Sequence, residues 1–257
     1  MAAEDPVAFP PPTGVTIRLV GALGLALATA AAAAAPALRP AIALGRVEET
    51  AGGRASVRLT VSPDLAPSWR EANVGFLALR AAEAQRRIDP AVASGNELEV
   101  PLPGFGCALL FGDLGRPEDR GRADSWRRSR RSVKAVLCRD VGDAAADLAA
   151  RRAAGALLMA RAGTRDEVRL LANPATTRPG SDLPVRLYAD GRVAPGAELV
   201  AEGPGGLTSV VSSDGQGFAV VALPVAGPWR VHFRAGGERG AELHFVVPAA
   251  SLHEDGR

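Results

Sequence analysis

The sequence predicts a mainly β protein of two β-sandwich-like domains, the C-terminal one immunoglobulin-like, with a short helical or loop connection between them. Two observations carry this. From Glu167 onward, short runs of alternating apolar and polar residues recur with turn chemistry between them. Between Ala41 and Phe111 the pattern is again mostly strands and turns, and helix-favouring residues cluster only between these two regions.

In chain order, the first informative segment is Leu19 to Ala35, which has no charged residue and is almost entirely Leu, Val, Ala or Gly. Arg18 precedes it, small residues fill its end and Pro36 follows. A positive flank, an apolar stretch and an Ala-x-Ala site are the parts of a secretory signal peptide, which residues 1–35 are expected to form, with cleavage between Ala33 and Ala35. The run is near the lower limit of about 17–25 residues for a spanning helix, so an uncleaved N-terminal anchor is the alternative. A buried Ala-rich helix is the third reading. Arg39 and Arg46 lie on the far side, against the positive-inside bias of a retained anchor. The expected location is the periplasm, or the inner membrane facing it if the anchor is kept. Membrane contact is then expected only through this segment.

The N-terminal β domain is placed at 37–115. Ala55–Val61 alternates with period two, and Gly52-Gly53 before it is a turn signal. Val74–Leu79 and Leu98–Leu102 are further strand candidates, and Ala81–Arg87 reads as a helical turn or a loop. Cys107–Phe111 is a continuous apolar run, as a strand buried on both faces would be.

A linker and helical connection is placed at 116–165. Gly112–Asp124 is polar and rich in Gly, Arg and Asp. Ser125–Cys138 reads as a helix or a long strand, and Asp143–Met159 as helix-favouring, with a tail at Ala156–Ala160 that could equally be a strand.

The immunoglobulin-like sandwich is placed at 166–248, followed by a polar tail at 249–257. Its strand candidates are Val168–Leu171, Leu183–Tyr188, Ala197–Ala201, Leu207–Val211, Phe218–Ala222, Trp229–Arg234 and Ala241–Val246. Asp190-Gly191, Asp214-Gly215 and Gly236-Gly237 mark hairpins, because type I′ turns need positive φ. In Trp229–Arg234, Trp229, Val231 and Phe233 face one way, and Arg230, His232 and Arg234 the other.

Composition narrows the function classes. Hydrophobic residues make up 47% and aromatics 4%, so the core is built mainly from Val, Leu and Ala. The net charge is +2, with acidic residues interspersed among the basic ones, which argues against nucleic acid as a partner. No His-Glu-x-x-His, phosphate loop or Gly-x-Ser-x-Gly occurs, so no enzyme activity and no catalytic residue is expected. A hydrolase with scattered catalytic residues is the minor rival. Asp214-Gly-Gln-Gly217 resembles a fragment of a calcium loop but lacks the series of acidic positions, and reads as a turn.

Three residue groups are candidate sites. His232 and His244 lie in adjacent predicted strands and form either a surface polar pair or part of a transition-metal site. Both alternate with apolar neighbours and are therefore placed on the solvent face. Cys107 and Cys138 form a disulfide in an exported chain, or are two buried thiols. Arg127, Arg128, Arg130, Arg131 and Lys134, with Arg120 and Arg122 nearby, form the one cationic cluster. They offer contact with an anionic surface or constitute a solvated face.

The order of elements from Arg131–Leu137 through Val168–Ala175, Gly180–Gly191, Pro195–Val200, Ser213–Gly215 and Gly227–Arg230 resembles a bacterial domain-of-unknown-function family of periplasmic proteins. Its members are described as nickel- or cobalt-uptake accessory components with an immunoglobulin-like C-terminal module. Asp190-Gly191, Ala197, Asp214-Gly215 and Trp229 occupy the family's strand and turn positions. The resemblance covers roughly residues 130–247. It implies an exported, non-catalytic binding or accessory protein serving envelope uptake of metal ions or small solutes, with an envelope transporter or receptor as partner. Family members carry a His-rich, aromatic motif at the mature N-terminus, where nickel or cobalt would be held. Here that stretch is Pro36–Ile42, without histidine or aromatic, so no cofactor is expected. The alternative function is a structural or adhesive protein-interaction module.

Overall fold

The computed structural model describes residues 38–50, 54–65, 76–81, 85–88, 93–102, 106–115, 129–140 and 142–249. The expected signal segment, Arg127, Arg128 and most of the polar tail lie outside the described residues.

Three sheets make two sandwiches, and the largest sheet belongs to both. It has eight strands in the order β13-β12-β15-β16-β8-β7-β3-β4. These are β3 (Phe76–Arg80), β4 (Gln85–Arg87), β7 (Gly106–Leu114), β8 (Arg131–Arg139), β12 (Glu198–Glu202), β13 (Thr208–Ser212), β15 (Gly227–Gly236) and β16 (Arg239–Val247). One four-stranded sheet packs on one of its faces: β1 (Ile42–Thr50), β2 (Arg54–Val61), β6 (Glu97–Pro101) and β5 (Ala93–Ser94). The third sheet packs on the other: β9 (Glu167–Leu170), β10 (Ser181–Ala189), β11 (Arg192–Val193) and β14 (Phe218–Leu223).

The middle strands explain how one sheet serves two cores. In β7, Ala108, Leu110 and Leu114 enter the N-terminal core, and Cys107, Leu109 and Phe111 the C-terminal one. In β8, Val133, Ala135 and Leu137 face the first, and Val136 the second. A strand buried on both faces needs an unbroken apolar run, and Cys107–Phe111 has one. Gly112 is required here, since a Cβ would stand 1.9 Å from the Phe76 carbonyl oxygen.

The sandwiches join through β16 and β8, the single parallel pairing among the described residues of the large sheet, with Gly240 opposite Arg131 and His244 opposite Ala135. Residues 131–139, expected in a connection between domains, are therefore a central strand. The reason is that Lys134 and Arg130 find buried carboxylates, Glu167 and Asp166, that solvent-exposed linker residues would not have.

The seven strand candidates of the C-terminal half each form a strand, and β11 adds a short eighth. The β10–β11 hairpin turns on Asp190 at φ 50° and Gly191 at φ 77°, the two positive values of a type I′ turn. The Asp214-Gly215 loop works differently. Asp214 accepts from the backbone N–H groups of Gln216 and Phe218, at 2.8 and 2.9 Å, and the positive φ falls at Gly217. Between the halves lie two helices, α1 (Ala144–Ala153), capped by Asp143, and α2 (Gly155–Met159). Thus Ala156–Ala160 is largely helical, while residues 85–87 form a strand rather than a helical turn.

Candidate functional site

On the face of β15–β16 turned away from the C-terminal core stands a layer of buried charge. Arg230, His232, Glu242 and His244 share this face, and Arg131 of β8 joins them because it pairs beside Gly240. Residues 38–42 lie across it. Glu242 accepts from the backbone N–H of Ala41 at 3.0 and 3.1 Å and of Ile42 at 3.1 Å. Arg230 donates to the same carboxylate at 3.0 and 3.3 Å, Arg131 at 3.4 Å, and His244 Nε2 lies 3.1 Å away. The arginines also reach the strap itself, Arg230 to the Leu38 carbonyl at 2.7 Å and Arg131 to the Arg39 carbonyl at 2.8 Å.

This arrangement holds rather than reacts. Burial would raise the Glu242 carboxyl, but the His244 hydrogen bond and charge, with Arg230 and Arg131, hold it below the usual carboxylate range. Its lone pairs are occupied by backbone and guanidinium donors, so it is a poor general base. His232 stays neutral, its pKa pushed down to about 4 by burial first and Arg230 second. Its Nε2 is 3.6 Å from Glu202 Oε1, beyond hydrogen-bond reach.

Two further networks tie β8 to β9 and the β10–β11 turn. Lys134 Nζ lies 3.1 Å from Glu167 Oε1 and 3.1 Å from the Ala160 carbonyl. Glu167 also accepts from the Ala162 N–H at 2.9 Å. Burial lowers the Lys134 pKa and Glu167 opposes that shift. Arg130 pairs with Asp166 at 3.0 Å and Asp190 at 3.4 Å, and the Ser132 hydroxyl donates to Asp113.

For Arg130, Arg131 and Lys134 the expected contact with an anionic surface is thereby corrected, while Arg127 and Arg128 lie outside the described residues. The Arg130 and Lys134 side chains are each 2% exposed and Arg131's is 9%, and all three face carboxylates inside the fold. They are at the start of a central strand, where desolvated cations need buried counter-ions. The histidine pair is corrected too. His232 and His244 are buried, not on a solvent face. They are not directly opposed, since Arg230 faces His244 and His232 faces Glu242, and each ring turns to a different carboxylate. Among the described residues no group of three His, Cys, Asp or Glu converges on a point where a metal could sit. Cys107 and Cys138 are opposed across β7–β8 and joined, with an S–S distance of 2.07 Å.

A separate concave site was not foreseen. The β8–β16 ladder ends at Ala135 and His244, although both strands continue to Arg139 and Val247. In the resulting fork lies a cleft of about 550 Å³, walled by Val136, Cys138, Val246, Val247 and Pro248, with Ala226 and Gly227 at the β14–β15 turn. Asp140 and Arg151 supply its charge. No sequence signal marks it, because its parts come from four distant stretches.

No family model matches the chain and no curated protein matches it. Solved structures do. Fibronectin(III)-like modules of Clostridium thermocellum CbhA align over 84% of this chain and 98% of theirs, at 9% identity and a TM-score of 0.25. A two-domain fibronectin type-III segment of chicken tenascin aligns over 79% and 97%, at 10% identity and a TM-score of 0.23. A Ca2+-stabilized adhesin with which an Antarctic bacterium binds ice aligns over 77% and 43%, at 13% identity and a TM-score of 0.23. The immunoglobulin-like class of the C-terminal β-sandwich rests on its strand order, β9-β10-β14 in one sheet and β13-β12-β15-β16 in the other. In the described residues no helix is long and apolar enough to cross a membrane.

Proposed function

We propose that this chain is an exported, non-catalytic binding protein of the periplasm, accessory to the envelope uptake of a small solute. The observation that carries it is the division of labour among polar groups. The dense charge networks at Glu242, Glu167 and Asp166 are buried and neutralised internally, while the fork cleft presents apolar walls to a ligand. Buried, fully paired carboxylates hold strands together, and concave apolar sites with one or two charged groups bind small molecules. Nickel or cobalt is disfavoured as the solute because His232 and His244 turn to separate carboxylates. Export agrees with the strap: cleavage between Ala33 and Ala35 leaves intact the segment 38–42 that the Glu242 network grips.

The test is recovery of the chain from the periplasmic extract of an expressing bacterium. Its N-terminus should lie between Ala34 and Leu38. An intact Met1 in the cytosolic fraction would overturn export. Titration of the recovered protein with nickel or cobalt should show no saturable site tighter than roughly 10 μM.

A structural or adhesive role is the second reading, favoured by β13. This edge strand, Thr208-Ser-Val-Val-Ser212, carries no charge, and Val210 is 56% exposed. Such an edge is open to strand addition by another protein. Cross-linking from position 210 to one defined envelope protein, absent from position 169, would favour this reading over the first.

A further inference from the structure

We propose that the fork cleft binds an apolar molecule bearing a single carboxylate, which Arg151 receives. This rests on reading the chain as a small-solute-binding protein and names the chemistry of the solute.

The cleft exists because β8 and β16 part company beyond Ala135 and His244. Val136, Val247 and Pro248 are buried and line it, while Val246 stands exposed at its side. At about 550 Å³ it falls within the usual range of roughly 300–1,000 Å³ for small-molecule sites. Into this apolar setting α1 brings Arg151, whose side chain is only 9% exposed. A guanidinium cannot shed its charge, and a desolvated one requires an anion. Arg151 Nε has no hydrogen-bond partner. Its Nη2 pairs with Asp140, but the Asp140 side chain is 69% exposed, in the loop that follows β8. Asp140 can turn back to water without being left buried and unpaired, so a ligand carboxylate can take its place on Arg151.

The Nε groups of Arg130 and Arg131 also lack a hydrogen-bond partner, but the other buried cations each meet a carboxylate that is itself buried. Lys134 meets Glu167, whose side chain is 1% exposed, and Arg130 meets Asp166, which is fully buried. Among the described residues, Arg151 is a buried cation whose ion-pair partner, Asp140, is exposed. One guanidinium and apolar walls suit a carboxylate on an apolar stem. A phosphate, with more charge and three acceptor oxygens, would call for further donors. Two sources offer the required chemistry, the C-terminus of an extended peptide and a free short-chain acid.

Calorimetric titration of the purified chain separates them. The probes are N-acetyl-Ala-Val as free acid and as amide, and hexanoate with hexanamide. At least one free acid should bind saturably, with its amide at least about tenfold weaker. Arg151→Gln should abolish binding, and Asp140→Asn should tighten it severalfold by removing the competing carboxylate. Binding of the peptide acid alone identifies a chain terminus, and of hexanoate alone a free acid. Asp140 is exposed, so its substitution tests the idea even if Arg151→Gln fails to fold. Equal binding of acid and amide, or unchanged affinity in Asp140→Asn, would overturn the carboxylate assignment while leaving the cleft as a binding site. Binding of none of the probes would overturn the assignment of the cleft to this chemistry and leave export untouched.

Discussion

The two faces of the β15–β16 pair are built from opposite materials and are buried alike. One carries Trp229, Val231, Phe233, Leu243, Phe245 and Val247, packed into the C-terminal core. The other carries Arg230, His232, Glu242 and His244, each at most 9% exposed, with the strap at 38–42 bound to Arg230 and Glu242. Period-two alternation separates two faces of a strand, but it does not say that the polar one meets water. The apolar face is held by area and packing, tolerant of small changes in geometry. The charged face is held by a few directed bonds, most of them converging on the Glu242 carboxylate, with Arg230 also pairing with Glu202 at 2.8 Å.

The comparison breaks most directly at Glu242. Glu242→Ala removes the buried counter-ion that Arg230 and Arg131 share and the acceptor of two backbone N–H groups, and should cost about 3–5 kcal/mol in urea unfolding. Freed of its anchor, the segment near Leu38 should also become sensitive to limited proteolysis. On the apolar face, Phe233→Ala should cost a similar amount, about 3–5 kcal/mol, as a cavity. It should leave the N-terminal segment as protected as before, which distinguishes the two faces. A Glu242→Ala chain with wild-type stability would show that the charged layer is decoration.

The Cys107–Cys138 bond is a third element of the apolar side, where Cys107 enters the C-terminal core. Mass spectrometry without reductant should show the loss of two hydrogens. Replacing both residues by Ser should cost about 3–4 kcal/mol on the chain-entropy model.

Acid separates the faces as well. His232 is pushed down to about 4 from an ordinary 6.5, so the unfolded chain takes up this proton before the folded one. Stability from neutral His232 is complete above about pH 6.5 and is lost as the pH falls toward 4, amounting to roughly 3 kcal/mol. Glu242, held below its ordinary 4.5, adds a further loss below that pH. His232→Gln should flatten urea midpoints between pH 6.5 and 4.5, and an unchanged slope would refute the assignment. The smallest effect is expected outside both faces. Val210→Thr on the exposed edge of β13 should change stability by no more than about 0.5 kcal/mol.

Much of the fold was legible locally. The C-terminal strands, the Asp190-Gly191 turn and the doubly buried run in β7 each follow from short stretches whose chemistry decides their own conformation. Ser125–Cys138 stayed undecided between helix and strand because Arg130, Arg131 and Lys134 look like a solvated cationic run. Their partners, Asp166, Glu242 and Glu167, lie between 33 and 111 residues away. The same holds for the candidate site. Arg151 gives no sign in its helix of facing a cleft, since the walls arrive from β8, the β14–β15 turn and the end of β16.

By itself, then, the sequence determined the strand content, the hairpin turns, the cysteine pair available for bonding and the absence of familiar enzyme motifs, because these rest on residues close together along the chain. Only the tertiary structure decided which charges are buried, that both sandwiches share one sheet, and where that sheet forks. A buried ion is stable only with its partners in place, and for Glu242 these come from far along the chain, the Arg131 guanidinium 111 residues away and the Ile42 backbone N–H 200 residues away, rather than from its neighbours.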